Sequence, residues 1–148
     1  MQLIKWLKHY IQFKDCVKKQ IVDIKEETDK IIVTEKKMRG NKTISDTQSE
    51  APGKENKTYF VHDELGEILS KTGSEKTYFV CLNSKKNIKT LLDNWDSLIA
   101  NKSITILFAH PGSNEVWLIN PAAHHKITEK ESLKEGIESL HSSIQKTN

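Results

Sequence analysis

The chain has 148 residues, 36% of them hydrophobic, with a formal net charge of +3 and two cysteines. That size suits a single domain, 1–148, able to bury a core without staples, and the cysteine count excludes a disulfide framework or a paired-cysteine zinc site. No apolar run approaches the ~20 residues that cross a bilayer, so the expectation is a cytoplasmic protein with Cys16 and Cys81 reduced and buried in their apolar runs.

The positive charge is concentrated at the front. Residues 1–39 carry ten basic side chains, all lysine except Arg39, against Asp15, Asp23, Glu26, Glu27, Asp29 and Glu35. Such a surface favours an anionic partner, a nucleic acid or an acidic protein surface, through long-range attraction. Arginine makes the bidentate contacts that read phosphate and guanine, and its scarcity argues against sequence-specific nucleic-acid recognition.

Residues 2–19 read as an amphipathic helix. Leu3, Leu7, Tyr10, Ile11, Lys14 and Val17 share one face, widened by Trp6 and Phe13, and Lys5, Lys8, Lys18 and Lys19 take the other. Packing on a core explains this pattern, and so does lying on an anionic membrane surface. The β-rich runs 21–25 and 30–34 predict a hairpin around Glu26-Glu27-Thr28-Asp29. Residues 40–57 hold one large apolar side chain, Ile44, up to Asn56 and predict a disordered internal loop.

Lys57-Thr58-Tyr59-Phe60-Val61 recurs word for word as Lys76-Thr77-Tyr78-Phe79-Val80, and both copies read as strands. Between them lies either a helix over 64–71, capped by Asp63 and closed by Gly73, or a strand over 67–71. Strand 77–82 runs into Ser84, an N-cap for a helix over 85–100 with Ile88, Leu91, Leu92, Trp95 and Ile99 on one face. A continuous apolar strand follows at 104–109, then a turn at 111–114 and a returning strand at 116–119, stopped by Pro121. The capping box Thr128-Glu129-Lys130-Glu131 opens a last helix that buries Leu133, Ile137, Leu140 and Ile144. The order α-β-β-loop-β-(α)-β-α-β-β-α predicts an α/β fold bordering on α+β. Its sheet should be mixed, with five to six strands and helices packed on it.

Few residue patterns carry chemistry. His110 adjoins the turn at 111–114, whereas His124 and His125 lie past the far end of the returning strand, ~20 Å away by strand geometry, which is too far for one metal ion. His9, His62 and His141 read as surface or capping residues. There is no Gly-x-Ser-x-Gly elbow and no glycine-rich phosphate loop. Lys85, Lys86 and Lys89 crowd a helix start, where anions are attracted, and Trp95 or Trp117 near them could stack a base.

Asp23 and Asp29 followed by Glu35-Lys36-Lys37 resemble the D…(D/E)-x-K core of restriction-endonuclease-like nucleases. The resemblance covers residues 23–37 and implies Asp23 or Asp29 with Glu35 holding Mg²⁺, and Lys37 steadying the attacked phosphate. The segment from Leu82 onward, with Asn94-Trp95, Asn120-Pro121 and Ser132-Leu133…Gly136…Ser139-Leu140, is similar to a group of small archaeal proteins to which no activity attaches. The first expectation for the function is therefore a non-catalytic binding or interaction module without a cofactor. The alternatives are a Mg²⁺-dependent nuclease built on the 23–37 hairpin and a membrane-surface protein using helix 2–19.

Overall fold

The computed structural model describes residues 2–36, 53–71, 76–127 and 129–147, and of Val17, Lys18 and Lys130 the backbone alone. Six strands form one mixed sheet whose spatial order follows the chain: β1 (Ile21–Glu26), β2 (Lys30–Lys36), β3 (Lys54–Val61), β4 (Lys76–Leu82), β5 (Ile104–His110) and β6 (Glu115–Ile119). β1–β2–β3 is an antiparallel meander, β3–β4 and β4–β5 are parallel, and β6 returns antiparallel on β5. The fold is α/β, with the element order expected from the sequence.

The repeated pentapeptide finds a structural reason here. Its two copies lie side by side, in register and parallel, so that each residue pairs with its identical counterpart from Lys57↔Lys76 to Val61↔Val80. Tyr59 and Tyr78 stack with ring centroids 4.3 Å apart, and Phe60 and Phe79 with centroids 6.1 Å apart, on opposite faces of the sheet. The juxtaposed lysines are neutralised from the meander, Lys57 by Glu35 at 2.7 Å and Lys76 by Glu55 at 3.1 Å.

Parallel central strands must be covered on both faces. One face is covered by α1 (Gln2–Lys18), whose Leu3, Ile4, Leu7 and Ile11 pack on Ile31, Val33, Val61, Val80, Leu107 and Ala109. The opposite face carries α2 (Lys85–Asp93), α3 (Trp95–Ile99), α4 (Pro121–Ile127) and α5 (Leu133–Ser142). Their side chains bury Phe60, Phe79, Cys81, Ile106, Phe108 and Trp117.

α1 ends where Lys19 takes the left-handed conformation, φ 49°, and Asp15 Oδ1 accepts the backbone N–H of Gln20 and of Ile21. Trp6 Nε1 donates to Oδ1 of Asn114, itself left-handed at the β5–β6 turn, and so ties the helix to the far side of the sheet.

Several boundaries differ from the sequence expectations. Residues 64–71 are neither helix nor strand but one 3₁₀ turn at Leu65–Glu67, and its first N–H groups are met by His62 Nδ1 and Asn87 Oδ1, not by Asp63. β3 begins at Lys54, inside the stretch 40–57 expected to be disordered, because Asn56 bonds Thr34 across the pair; residues 40–52 lie outside the described residues. The helix expected over 85–100 breaks at Asn94, whose amide folds back to donate to the Thr90 carbonyl.

Pro121 both stops β6 and starts α4, since its ring fits the first helical turn and Asn120 Oδ1 caps Ala123 N. The last helix starts at Leu133, after a 3₁₀ turn at Lys130–Ser132, and not at the capping box. On α1, Phe13 is exposed and Ile4 takes a core position. Cys81 is buried as expected, and Cys16 is exposed.

Leu7 is completely buried between α1 and the sheet. Leu7→Ala should lower unfolding stability by about 3 kcal/mol in urea denaturation, whereas a helix docked loosely on the sheet would lose far less.

Candidate functional site: a basic cleft beside a buried histidine

The sequence Leu82-Asn83-Ser84-Lys85-Lys86-Asn87 turns the end of β4 into α2. Ser84 takes extended dihedrals and its Oγ accepts the Asn87 N–H, which fixes the helix start. Asn87 is buried, and its amide group donates to the carbonyls of Asp63 and Leu82 and accepts from Leu65 N. One side chain thus satisfies three backbone groups where two segments leave the sheet.

Asn83 is fully buried. Its Nδ2 donates to the carbonyls of His141 at 2.9 Å and Gln145 at 3.0 Å, on α5 and the tail that follows it. Its Oδ1 accepts from Trp117 Nε1 at 2.9 Å and faces His141 Nδ1 at 2.8 Å. An indole N–H can only donate, and the two carbonyls can only accept, so the amide has one possible orientation. The hydrogen of neutral His141 therefore sits on Nδ1, and Nε2 carries a lone pair. Nε2 is buried and has no hydrogen-bond partner among the described residues. Burial, followed by the charges of Lys146 and Lys85, holds the His141 pKa below its ordinary value, so the ring is neutral at pH 7.

His141 lines two adjoining clefts. One, of about 760 Å³, lies between α2 and α5 and is lined by Lys85, Lys89, Lys134 and Lys146 with Asp93 and Glu138. The other, of about 400 Å³, opens at the start of α2 by Ser84, Lys85 and Lys86, with Asp63 and Glu64 opposite. Lys86 is paired to Glu64 at 2.8 Å, while Lys85, Lys89, Lys134 and Lys146 form no ion pair with any described residue. α2 has no acidic residue in its first turn. Lysines at a helix start oppose the backbone dipole, and Lys85 and Lys89, four apart, repel each other. A folded chain tolerates such an arrangement at a local cost that a bound anion would remove.

Of the expected anion-binding residues, Lys85 and Lys89 line the larger cleft with Lys134, Lys146 and His141, while Lys86 lines the smaller one and is paired with Glu64. It does not assemble the nuclease set. Glu35 shares its sheet face with Val33 and is held by Lys57, whereas Asp23 pairs with Thr34 and so points to the other face. Asp29 sits beyond the start of β2, ~20 Å along the strand from Glu35, and is paired with Lys71 at 2.8 Å, which lowers its pKa. Lys37 lies outside the described residues. Among the described residues no three His, Cys, Asp or Glu side chains converge as a metal site would require.

The apolar face of α1 is spent in the core: Trp6 and Leu7 are buried and Tyr10 packs beside them, which removes the surface an interfacial helix needs. Of its lysines, Lys8 pairs with Glu26 at 3.5 Å, Lys5 and Lys19 face solvent, and Lys18 is described by its backbone alone. Trp95 and Trp117 are buried, Trp117 stacked on Phe108 at 4.3 Å, and neither offers a face to a base. His124 stands edge-on to Trp95, and burial lowers its pKa.

A third cleft, of about 110 Å³ beneath α1, gathers Tyr10, Lys14, Glu35, Lys57, Tyr59 and Tyr78. Burial opposes the Lys57 charge, but its hydrogen bond to Glu35 and the charges around it outweigh burial and raise its pKa. Its charged groups are largely matched within the cleft.

His141 reads from the sequence as a surface or capping residue because its partner Asn83 lies 58 residues earlier, just past the end of β4. The spacing Leu133, Ile137, Leu140 and Ile144 was the available signal, since His141 follows Ile137 by one helical turn and shares its buried side.

Asn83→Ala would strand two carbonyls, an indole N–H and an imidazole N–H in the interior, and should cost about 3 kcal/mol or more in denaturant unfolding. His141 and His124 favour the neutral form when folded, so the unfolded chain takes up protons first as pH drops below about 6.5. Stability should therefore fall between about pH 7.5 and about pH 5.5. His141→Phe should flatten that slope, as read by thermal denaturation across the range.

Compared with protein-family models, curated proteins and solved structures, the chain matches none of them, so the chemistry of the cleft alone bears on its function.

Proposed function

We propose that the protein is a binding module for an anionic partner, with the α2/α5 cleft as the seat of the partner's anionic group. The observation that carries this is the convergence of Lys85, Lys89, Lys134 and Lys146 on one cleft with no ion pair to any described residue. Unpaired lysines around a concave, partly apolar wall raise the local concentration of anions and gain more from a bound anion than from water. The helix start contributes further: the first-turn N–H groups of Lys85 and Lys86 have no helical carbonyl to meet. The basic surface of α1, which composition alone singled out, supports the reading less well, because Lys8 is already paired and Lys14 shares its cleft with Asp15 and Glu35.

The test is retention on immobilised heparin, a generic polyanion, with affinity measured at low salt. The double variant Lys85→Glu with Lys89→Glu should bind about tenfold or more weakly and elute at lower salt. Lys5→Glu with Lys8→Glu should change elution much less. Equal retention of the α2 variant and the unmodified protein, or loss confined to the α1 variant, would overturn the assignment.

A further inference from the structure

Resting on that reading, the shape and charge pattern of the larger cleft point to the kind of molecule that carries the anionic group. We propose that the cleft seats an acidic amphipathic helix of a protein partner, with apolar side chains on Ile88 and Leu92 and carboxylates on the surrounding lysines.

The cleft, of about 760 Å³, lies between two helices and not at the end of one. Asn83 holds the start of α2 beside the end of α5. Ile88 and Leu92 stand one helical turn apart on α2, and both line the cleft. Ile88 is buried and Leu92 half-buried, so they form its floor. Lys85 and Lys89 repeat the four-residue step at exposed positions of α2, and on α5 exposed Lys134 and Glu138 repeat it again. An apolar floor between two charged rims, both stepped by one helical turn, is the complement of a helix with apolar residues on one side and charges flanking them. The apolar part of the cleft would gain nothing from a small anion, which leaves Leu92 in water.

The charges select the partner. Four lysines outnumber two carboxylates, Asp93 and Glu138, so the cleft favours a partner with excess acid. The same excess opposes a second copy of this chain, because a two-fold contact would bring like charges together. A nucleic acid fits less well. Its phosphates are uniformly negative and would meet Asp93 and Glu138, whereas a peptide can set a lysine or arginine opposite those two positions. No Trp, Tyr or Phe among the described residues lines the cleft, so bases would find no ring to stack on.

The experiment measures fluorescence anisotropy with a labelled peptide of about 16 residues, roughly four helical turns, whose leucines share one helix face flanked by glutamates. A second peptide has the same composition, scrambled so that its leucines share no face. A single-stranded DNA oligonucleotide of similar length is the third probe, all at one salt concentration. The ordered peptide should bind at least about tenfold more tightly than the scrambled one and more tightly than the DNA. With ¹⁵N-labelled protein it should shift the amides of α2 and α5. Equal affinity for the two peptides, DNA binding as tight as that of the ordered peptide, or amide shifts confined to α1 would overturn the helix assignment. Heparin retention that depends on Lys85 and Lys89 would then leave the anion-binding module standing. If heparin binding also ignores those lysines, the broader reading falls with it. Leu92→Gln keeps the side chain's length and charge and should bring the ratio of the two peptide affinities toward one; an unchanged ratio would remove the apolar floor from the proposal. Should that variant fail to fold, the comparison of the two peptides on the unmodified protein still decides.

Discussion

The end of β4 is held by one buried amide. Asn83 bonds α5, the tail beyond it and β6 at once, through the two donors and one acceptor of its amide. The backbone around it follows: Asn83 N donates to Ala109, Thr147 N donates to the Asn83 carbonyl, and the tail lies along Ser84 as a short parallel bridge. α5 is thereby fixed against the start of α2, and the lysines of both elements are brought to one cleft. An apolar residue at this position could fill the volume but would leave the carbonyls of His141 and Gln145 without a donor, and α5 would lose its angle to the sheet.

The two faces of the sheet divide the labour. The α1 face is closed by a single helix, and beneath it Glu35 of β2 pairs with Lys57 of β3. The opposite face carries several short helices, and short helices leave more termini, clefts and unpaired charges. Lysines are abundant on both sides, so charge count alone does not locate a site. What separates them is pairing: Lys8, Lys25, Lys30, Lys57, Lys71, Lys76 and Lys86 each meet a carboxylate, and the four lysines of the larger cleft meet none among the described residues.

The sheet and most helices were legible because their signals are local. Period-two and apolar runs located the strands, Ser84 announced α2, and the duplicated Lys-Thr-Tyr-Phe-Val marked the two strands that pair in register. α4 was missed because Pro121 reads equally as the end of a strand and the first residue of a helix, and only Asn120, capping from the strand side, tips the balance. Residues 64–71 were ambiguous because their geometry is imposed by Asn87, 22 residues away from Leu65. The same reason hid half of the cleft. Lys85, Lys86 and Lys89 were readable as a basic helix start, but the role of His141 depends on Asn83, 58 residues earlier, and no spacing rule connects them.

A chain-order sheet can be laid down strand by strand as the polypeptide emerges from the ribosome, but α1 cannot settle in that order. Its apolar side needs Val80 and Leu107, and its Trp6 indole bonds a residue 108 positions downstream. α1 is thus made before the strands it covers, and its apolar face has no complete seat until β5 and the β5–β6 turn have been made.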